Sequence, residues 1–311
     1  MNYRFLNCNK EKFIKFCDTG EKYVSIFSKP WWLECVSSGD WDVICADLGG
    51  KTIAFHPYYF VKEEDKIVIR KAPLTQNNGI IFNTDDNLKY QTRLLNEKKA
   101  TELVIQRINE LKPKSYRQYF HYSFTDWLPF YWNSFTQTTR YTYVIDSSSI
   151  DDVWAGMSSK LRNEIRNAAT KVIVEEELSI DGLYEIVKMT FGKQGLEVPY
   201  SCDLLKTIDS ACLENNSRHI FVAKDINGNI CSCIYLVEDE KSVYYLISGS
   251  DPQFKTYNSL SLLIMKGIEY ALKKGKIFDF EGSMKQNIEK HFAQFGAKQM
   301  PYMDIKKDFF D

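Results

Sequence analysis

Residues 242–284, SVYYLISGSDPQFKTYNSLSLLIMKGIEYALKKGKIFDFEGSM, read as strand, tight loop, helix and strand. The first seven are rich in aromatic and β-branched side chains, the composition of a strand. Gly249-Ser250-Asp251-Pro252 stops that strand and turns the chain. From Asn258 to Lys274, the residues Leu260, Leu263, Ile264, Ile268, Ala271 and Leu272 recur on one helical face. Asn258 or Ser259 can cap this helix, and Gly275 stands where a left-handed stop is expected. A helix starting just beyond a strand's carboxyl end points unpaired backbone N–H groups into the crevice there. Such a place attracts a phosphate, a carboxylate or a developing oxyanion.

Working outward, strands at Arg218–Lys224 and Ile230–Glu238 precede this unit, with Asn227-Gly228 in the turn between them. The first half of the chain repeats the order. Strands at Trp41–Leu48, Lys51–Val61 and Lys66–Ala72 predict an antiparallel meander turned by Gly49-Gly50 and Glu63-Glu64-Asp65. A loop, PLTQNNG, leads through Asp85-Asp86 to a long helix ending near Leu111, where Pro113 stops it. Tyr116–Phe124 predicts another strand. Earlier, a short strand near Tyr23–Phe27 is expected before PWWLECV, a helix opened by Pro30. Ser147-Ser148-Ser149 marks a polar boundary, and Ile150–Ala169 reads as helical.

The string FDFEGSM, followed by IEKHFAQFGAKQMPY, resembles the FemAB-like and BioF-like branch of the GNAT N-acyltransferase superfamily. So do PWWLE, WLPFYWNSFTQTTRYTY and MSSKLRNEIRNA, and the resemblance therefore runs from Pro30 to Tyr302. It implies an α/β (α+β) fold of two tandem GNAT-like domains, each a mixed, mainly antiparallel sheet flanked by helices. Residues 1–146 would form the acceptor side, without a donor site, and residues 147–311 the acyltransferase domain. Three features depart from the pattern. The acyl-CoA phosphate turn, R/Q-x-x-G-x-G/A, is replaced by Lys255, Asn258 and Leu260, which bring the backbone less easily to a pyrophosphate. Aminoacyl-tRNA-using FemAB proteins carry F-K before their late F-G, whereas His291 and Phe292 stand here. The long helical hairpin of some tRNA-using members is absent between Lys171 and Arg218.

The candidate chemistry follows from these placements. Asp279 and Glu281, two apart on the last strand, would project from one face, with Phe278 and Phe280 on the other. Glu281, or Asp279 in its stead, could accept the proton of an attacking amine; alternatively, Asp279 pairs with a basic residue and Glu281 caps a turn. Tyr244 and Tyr245 face opposite sides of their strand, so one is expected in the core and the other, with Tyr245 the candidate, could donate its hydroxyl to the leaving group; Ser283 is a second hydroxyl nearby, and each of these is otherwise structural. Ser248, Gly249, Lys255, Thr256, Asn258 and Ser259 would line the donor site. Arg162 and Arg166, four apart, form a fork for phosphate or belong to a solvated face shared with Glu164. In the first half Gln76, Trp127 and Arg140 could hold the acceptor, Gln76 otherwise lying in an ordinary polar turn. The aromatic run from Trp127 to Tyr143 is expected between the halves. Asp85 and Asp86 at a helix start would repel a phosphate.

Composition sets the outer bounds. The 311 residues carry 40 basic against 41 acidic side chains, a balance that argues against a dedicated nucleic-acid binder. No segment has the length of an apolar membrane span, and the polar, charged first residues are unlike a secretory signal. Eight cysteines lack C-x-x-C spacing and four histidines are scattered, so neither a disulfide framework nor a metal site is expected. A reduced, cytoplasmic protein fits. The expected activity is transfer of an acyl group from acyl-CoA to a primary amine, on a small molecule, a phosphorylated sugar or a cell-envelope precursor. The alternatives are a FemAB-type transferase using aminoacyl-tRNA and a non-catalytic binding protein on the same fold.

Overall fold

The computed structural model describes residues 4–85 and 87–309. They form two compact units, one up to Arg140 together with the residues from Pro301 on, the other Tyr141–Met300. The expected division at 146/147 falls inside the second unit, and the end of the chain returns to the first.

Unit 1 begins with α1 (Arg4–Asp18) and α2 (Pro30–Ser37). Between them no strand forms at Tyr23–Phe27; Ile26–Ser28 is a single 3₁₀ turn with Ile26 and Phe27 fully buried. Pro30 restricts the residue before it and pre-sets the helix, leaving no length for a strand. The meander follows as β1 (Trp41–Leu48), β2 (Lys51–Glu63) and β3 (Lys66–Arg70). Gly49 and Gly50 both have positive φ, +57° and +78°, the geometry of the tightest hairpin turn. After β4 (Ile81–Phe82) comes α3 (Tyr90–Leu111), which starts later than Asp85 suggests; Asp86 lies outside the described residues. Then β5 (Ser115–Tyr119) pairs parallel to β3 through Val68↔Ser115 and Ile69↔Tyr116. Beyond it lie a non-strand segment, not the expected strand to Phe124, and α4 (Leu128–Trp132). Ala100, Val104, Ile105 and Ile108 of α3 are buried in one cluster with Ile44, Ile69, Tyr116 and Phe120.

β6 (Thr136–Ile145) carries the chain into unit 2. Helices α5 (Ile150–Gly156) and α6 (Ser159–Ala169) replace the single expected helix. Met157 is extended and the Ser158 hydroxyl accepts the Leu161 N–H, so one helix ends and a capped one begins. A short β7 (Ile173–Glu175), α7 (Ile180–Gly192) and α8 (Cys202–Glu214) lead to a second meander. This is β8 (Arg218–Lys224), β9 (Ile230–Glu238) and β10 (Ser242–Ser250). After α9 (Ser259–Lys273), β11 (Ile277–Asp279) pairs parallel to β10. The chain closes with α10 (Gln286–Ala293) and β12 (Lys298–Asp308), which pairs antiparallel to β5 in unit 1. Leu263, Ile264, Ile268 and Ala271 of α9 pack with Ile234, Leu236, Val243 and Phe278 of the sheet. Gly275 has the expected left-handed φ, +67°.

Each unit is thus a three-stranded antiparallel meander, a helix, and a strand parallel to the meander's last. Inside the expected aromatic run, Phe130 and Phe135 belong to the unit 1 core and Tyr143 to that of unit 2, while Tyr131 and Trp132 are exposed.

Candidate active site

In unit 2 the parallel pairing of β10 with β11 lasts only for Ser242↔Ile277, Val243↔Phe278 and Tyr244↔Asp279. Two preferences drive the strands apart there. β11 follows β6, through Phe278↔Ile145, Asp279↔Val144 and a Phe280 N–H to Tyr143 carbonyl bond of 2.9 Å. β10 instead follows β9, and does so with a bulge: Tyr245 faces Leu236 and Ile247 faces the adjacent Tyr235, leaving Leu246 extra. A bulge bends and twists its strand, and bulges commonly re-aim backbone groups at functional sites. The pairing therefore stops after Tyr244↔Asp279, and the place where Tyr245–Ser250 and the segment after Asp279 part is the candidate crevice.

One wall is a sharp turn. Glu281 and Gly282 both lie in the left-handed region, at φ +58° and +66°. Glu281 therefore leaves the strand and does not share a face with Asp279, contrary to the two-residue spacing. Asp279 is buried (1 % exposed); its Oδ1 accepts the Thr142 hydroxyl at 2.5 Å and the Glu281 N–H at 2.8 Å. Glu281 is half-buried, with one carboxylate oxygen, Oε1, out of solvent. Phe278 and Phe280 are buried as expected. Ser283 is half-buried and its Oγ accepts the Lys285 N–H at 3.1 Å, a turn role.

Tyr245 does not line the crevice as a proton donor. It packs among Phe278, Phe280 and Phe292, its hydroxyl bonded to the Ser248 side chain, and burial pushes its phenol well up. Tyr244, on the opposite face, donates to Asp239 Oδ2 at 3.1 Å. Gly249 and Ser250 hold β10 against α7: Gly249 abuts the Ile186–Val187 backbone, and the Ser250 N–H donates to Thr190 Oγ1 at 2.7 Å.

The crevice ends at a 3₁₀ segment, Pro252–Tyr257. Asp251 caps it by accepting the Gln253 N–H, while the Phe254 and Asn258 N–H groups bond to the Asp251 and Lys255 carbonyls. Lys255, Thr256 and Asn258 are exposed. Asn258 occupies the N-cap position of α9 with φ +54° and no side-chain cap bond; Ser259 is buried and its Oγ accepts the Ser232 hydroxyl. The Lys171 ammonium sits over the Tyr257 ring at 5.4 Å, adding a second cation to this loop. Arg162 is engaged elsewhere: its guanidinium donates to the Trp154, Ala155 and Met157 carbonyls and caps α5. Arg166 is exposed, so the two do not form the expected fork.

Sequence reasoning missed Thr142, whose partner lies 137 residues away. It also missed Tyr143, whose hydroxyl donates to Glu289 at 2.6 Å and accepts from Gln299 at 2.7 Å, tying α10 down. The regular alternation of TRYTYVI marks a strand but names no partner.

In unit 1 the corresponding gap is filled by the chain itself. Beyond the β3–β5 pairs, Asn78 forms a parallel bridge with Phe120 and its N–H donates to the Tyr119 carbonyl at 2.7 Å. Thr75, Gln76, Asn77 and Asn78 are all buried, not an ordinary exposed turn. Thr75 accepts the Trp32 indole N–H, and Asn78 accepts the Ser28 hydroxyl. Gln76 accepts from Asn77 Nδ2 at 3.3 Å. Trp127 packs edge-on to Tyr131 at the start of α4. Arg140 donates to the Tyr302 hydroxyl and stacks over Tyr119 at 4.8 Å. These three belong to unit 1 and the crevice residues to unit 2.

Among the described residues no group of histidine, cysteine and carboxylate side chains could hold a metal, and no helix is long and apolar enough to cross a membrane. Residues 156–286 match the family profile described as an acetyltransferase (GNAT) domain. No curated protein sequence matches the chain. Among solved structures, FemX aligns over 94 % of this chain and 95 % of its own, with TM-score 0.68 and 12 % identity. L-PGS from Bacillus licheniformis aligns over 97 % and 92 %, with TM-score 0.56 and 10 % identity. A tandem GNAT protein from the clavulanic acid biosynthesis pathway covers 98 % and 96 %, with TM-score 0.52 and 8 % identity. The matched acetyltransferase (GNAT) domain thus lies within unit 2, around the place where β10 and β11 part, and the fold of the whole chain is similar to those of FemX and the tandem GNAT protein.

Proposed function

We propose that unit 2 transfers an acyl group from acyl-CoA to a primary amine of a small molecule or cell-envelope precursor. The observation that carries this reading is the early parting of β10 from β11 beside a bulge. It leaves a strand edge along which an extended, amide-bearing donor arm can pair, and the bulged backbone can offer an N–H to the oxyanion. The amine attacks the thioester carbonyl, the C–N bond forms and the C–S bond breaks. The proton lost by nitrogen goes to Glu281, directly or through one water, and the thiolate leaves to be protonated by solvent. Lys255 and the start of α9 supply positive potential for phosphates.

CoA should then raise the melting temperature with the logarithm of its concentration, because it binds only the folded chain. Lys255→Glu should reduce that shift more than the same charge change at Lys89 in unit 1.

A second reading is favoured by the 3₁₀ segment. Its N–H groups bond within the segment, where a glycine turn would present them to a pyrophosphate. An aminoacyl-tRNA donor needs no such turn. No shift with any acyl-CoA, together with salt-steep binding of aminoacyl-tRNA, would favour that donor.

A further inference from the structure

We propose that Asp279 is a positioning residue for the transfer, the seat on which Glu281 is held, and not itself the proton acceptor. The inference rests on the acyl-transfer reading of this crevice but concerns a different group. Four observations carry it. Asp279 is buried at 1 % exposure, whereas Glu281 stands half-buried after the strand has ended. Asp279 Oδ1 accepts the N–H two residues ahead, the closed loop by which an aspartate fixes a turn. That turn needs fixing, because Glu281 is a non-glycine residue at φ +58°, a conformation disfavoured for L residues. Finally, the Thr142 hydroxyl donates to the same Oδ1 from the neighbouring strand. The next residue, Gly282, rests directly on the Tyr141–Thr142 backbone. β6 therefore grips the turn twice, by the Thr142 side chain through Asp279 and by its own backbone against Gly282. A carboxylate carried on such a turn keeps one place relative to the β10 bulge, and near-attack geometry depends on that place.

The test compares Asp279→Asn, Asp279→Ala and Thr142→Val in the full chain. Asparagine still offers an oxygen to both donors, but it cannot take a proton near neutral pH. Asp279→Ala should lower kcat about 10- to 100-fold with little change in KM for the donor, and Thr142→Val should do so less. Asp279→Asn should recover most of what alanine loses, with the acid limb of the kcat–pH profile in place. Hydrogen exchange at the Glu281 amide should speed up in Asp279→Ala and stay slow in Asp279→Asn. Equal losses of kcat in the asparagine and alanine variants would make Asp279 the base and overturn the proposal. Unchanged exchange at Glu281 in Asp279→Ala would overturn it whatever the activity. Faster exchange in a protein that turns over no acyl donor would uphold the seat while refuting the acyl-transfer reading.

Discussion

Gly275 and Gly282 allow the packing of the crevice wall to be weighed separately from backbone strain. Their φ angles are nearly the same, +67° and +66°, but their surroundings differ. A Cβ on Gly275 meets nothing within 4 Å, while one on Gly282 would overlap the Tyr141 carbonyl and lie 2.6 Å from Thr142 Cα. Alanine at either site pays about 1–2 kcal/mol for the left-handed conformation, offset by about 0.4–1 kcal/mol through a stiffer unfolded chain. Gly275→Ala should therefore cost about 1 kcal/mol. At Gly282 the carbons must separate by about 1 Å to reach an ordinary contact of roughly 3.5–4.0 Å. Overpacking of that kind costs about 1–3 kcal/mol. The shift also strains the Phe280–Tyr143 backbone bond and the Thr142–Asp279 bond, worth about 1 kcal/mol each. With each strained bond losing about half its worth, the total for Gly282→Ala is then about 3–5 kcal/mol. In thermal unfolding this separates a fall of roughly 2–4 °C for Gly275→Ala from one of about 10 °C for Gly282→Ala. Equal losses would show that the turn after β11 is not seated on β6, and with it the account of the crevice wall would fail.

Glu281→Gln keeps size and hydrogen bonding but cannot accept a proton; it should fold normally and lose roughly 10²–10⁴-fold in turnover, measured by steady-state kinetics at saturating donor. Unit 1 holds two buried groups whose titrations oppose each other. Burial raises Asp42 to about 6, so its carboxyl favours the folded state below the unfolded range near pH 4, an advantage lost as pH rises towards 6. Burial lowers His56 to about 4, so its contribution is full above about pH 6.5 and lost as pH falls towards 4. Asp42→Asn should remove the offset to the His56 slope, so that between pH 4 and 6 its stability in urea unfolding rises by up to about 3 kcal/mol more than that of the native protein.

The elements with strong periodicity or hard stops were legible: the Gly49-Gly50 hairpin, β8 and β9 to the residue, and α3 ending at Leu111 before Pro113. What escaped was set by partners distant in sequence. Two-residue spacing placed Asp279 and Glu281 on one face because a strand was assumed to continue; β6 captures residue 280 and the left-handed turn ends the alternation. Arg162 and Arg166 share a helical face, but the open end of α5, created by the break at Met157, takes Arg162 for itself. The string TQNN looks like a surface turn by composition, and only the gap beside β5 explains its burial.

That gap is where two units of one topology differ in how the backbone is satisfied. A strand whose parallel neighbour turns away is left with backbone donors and acceptors that something must satisfy. In unit 1, β3 ends at Arg70 and the chain comes back after the PLTQNNG loop, so Asn78 pairs with the end of β5 and four polar side chains fill the space. In unit 2, β10 runs on past its last partner in β11 to Ser250, and the chain goes straight into the 3₁₀ segment and α9 with no residues to spare for a return. The length of the connection after the third strand thus decides which crevice the polypeptide fills for itself. On the acyl-transfer reading the second is the one that a donor would complete, and it is where Glu281 stands on the turn that β6 holds.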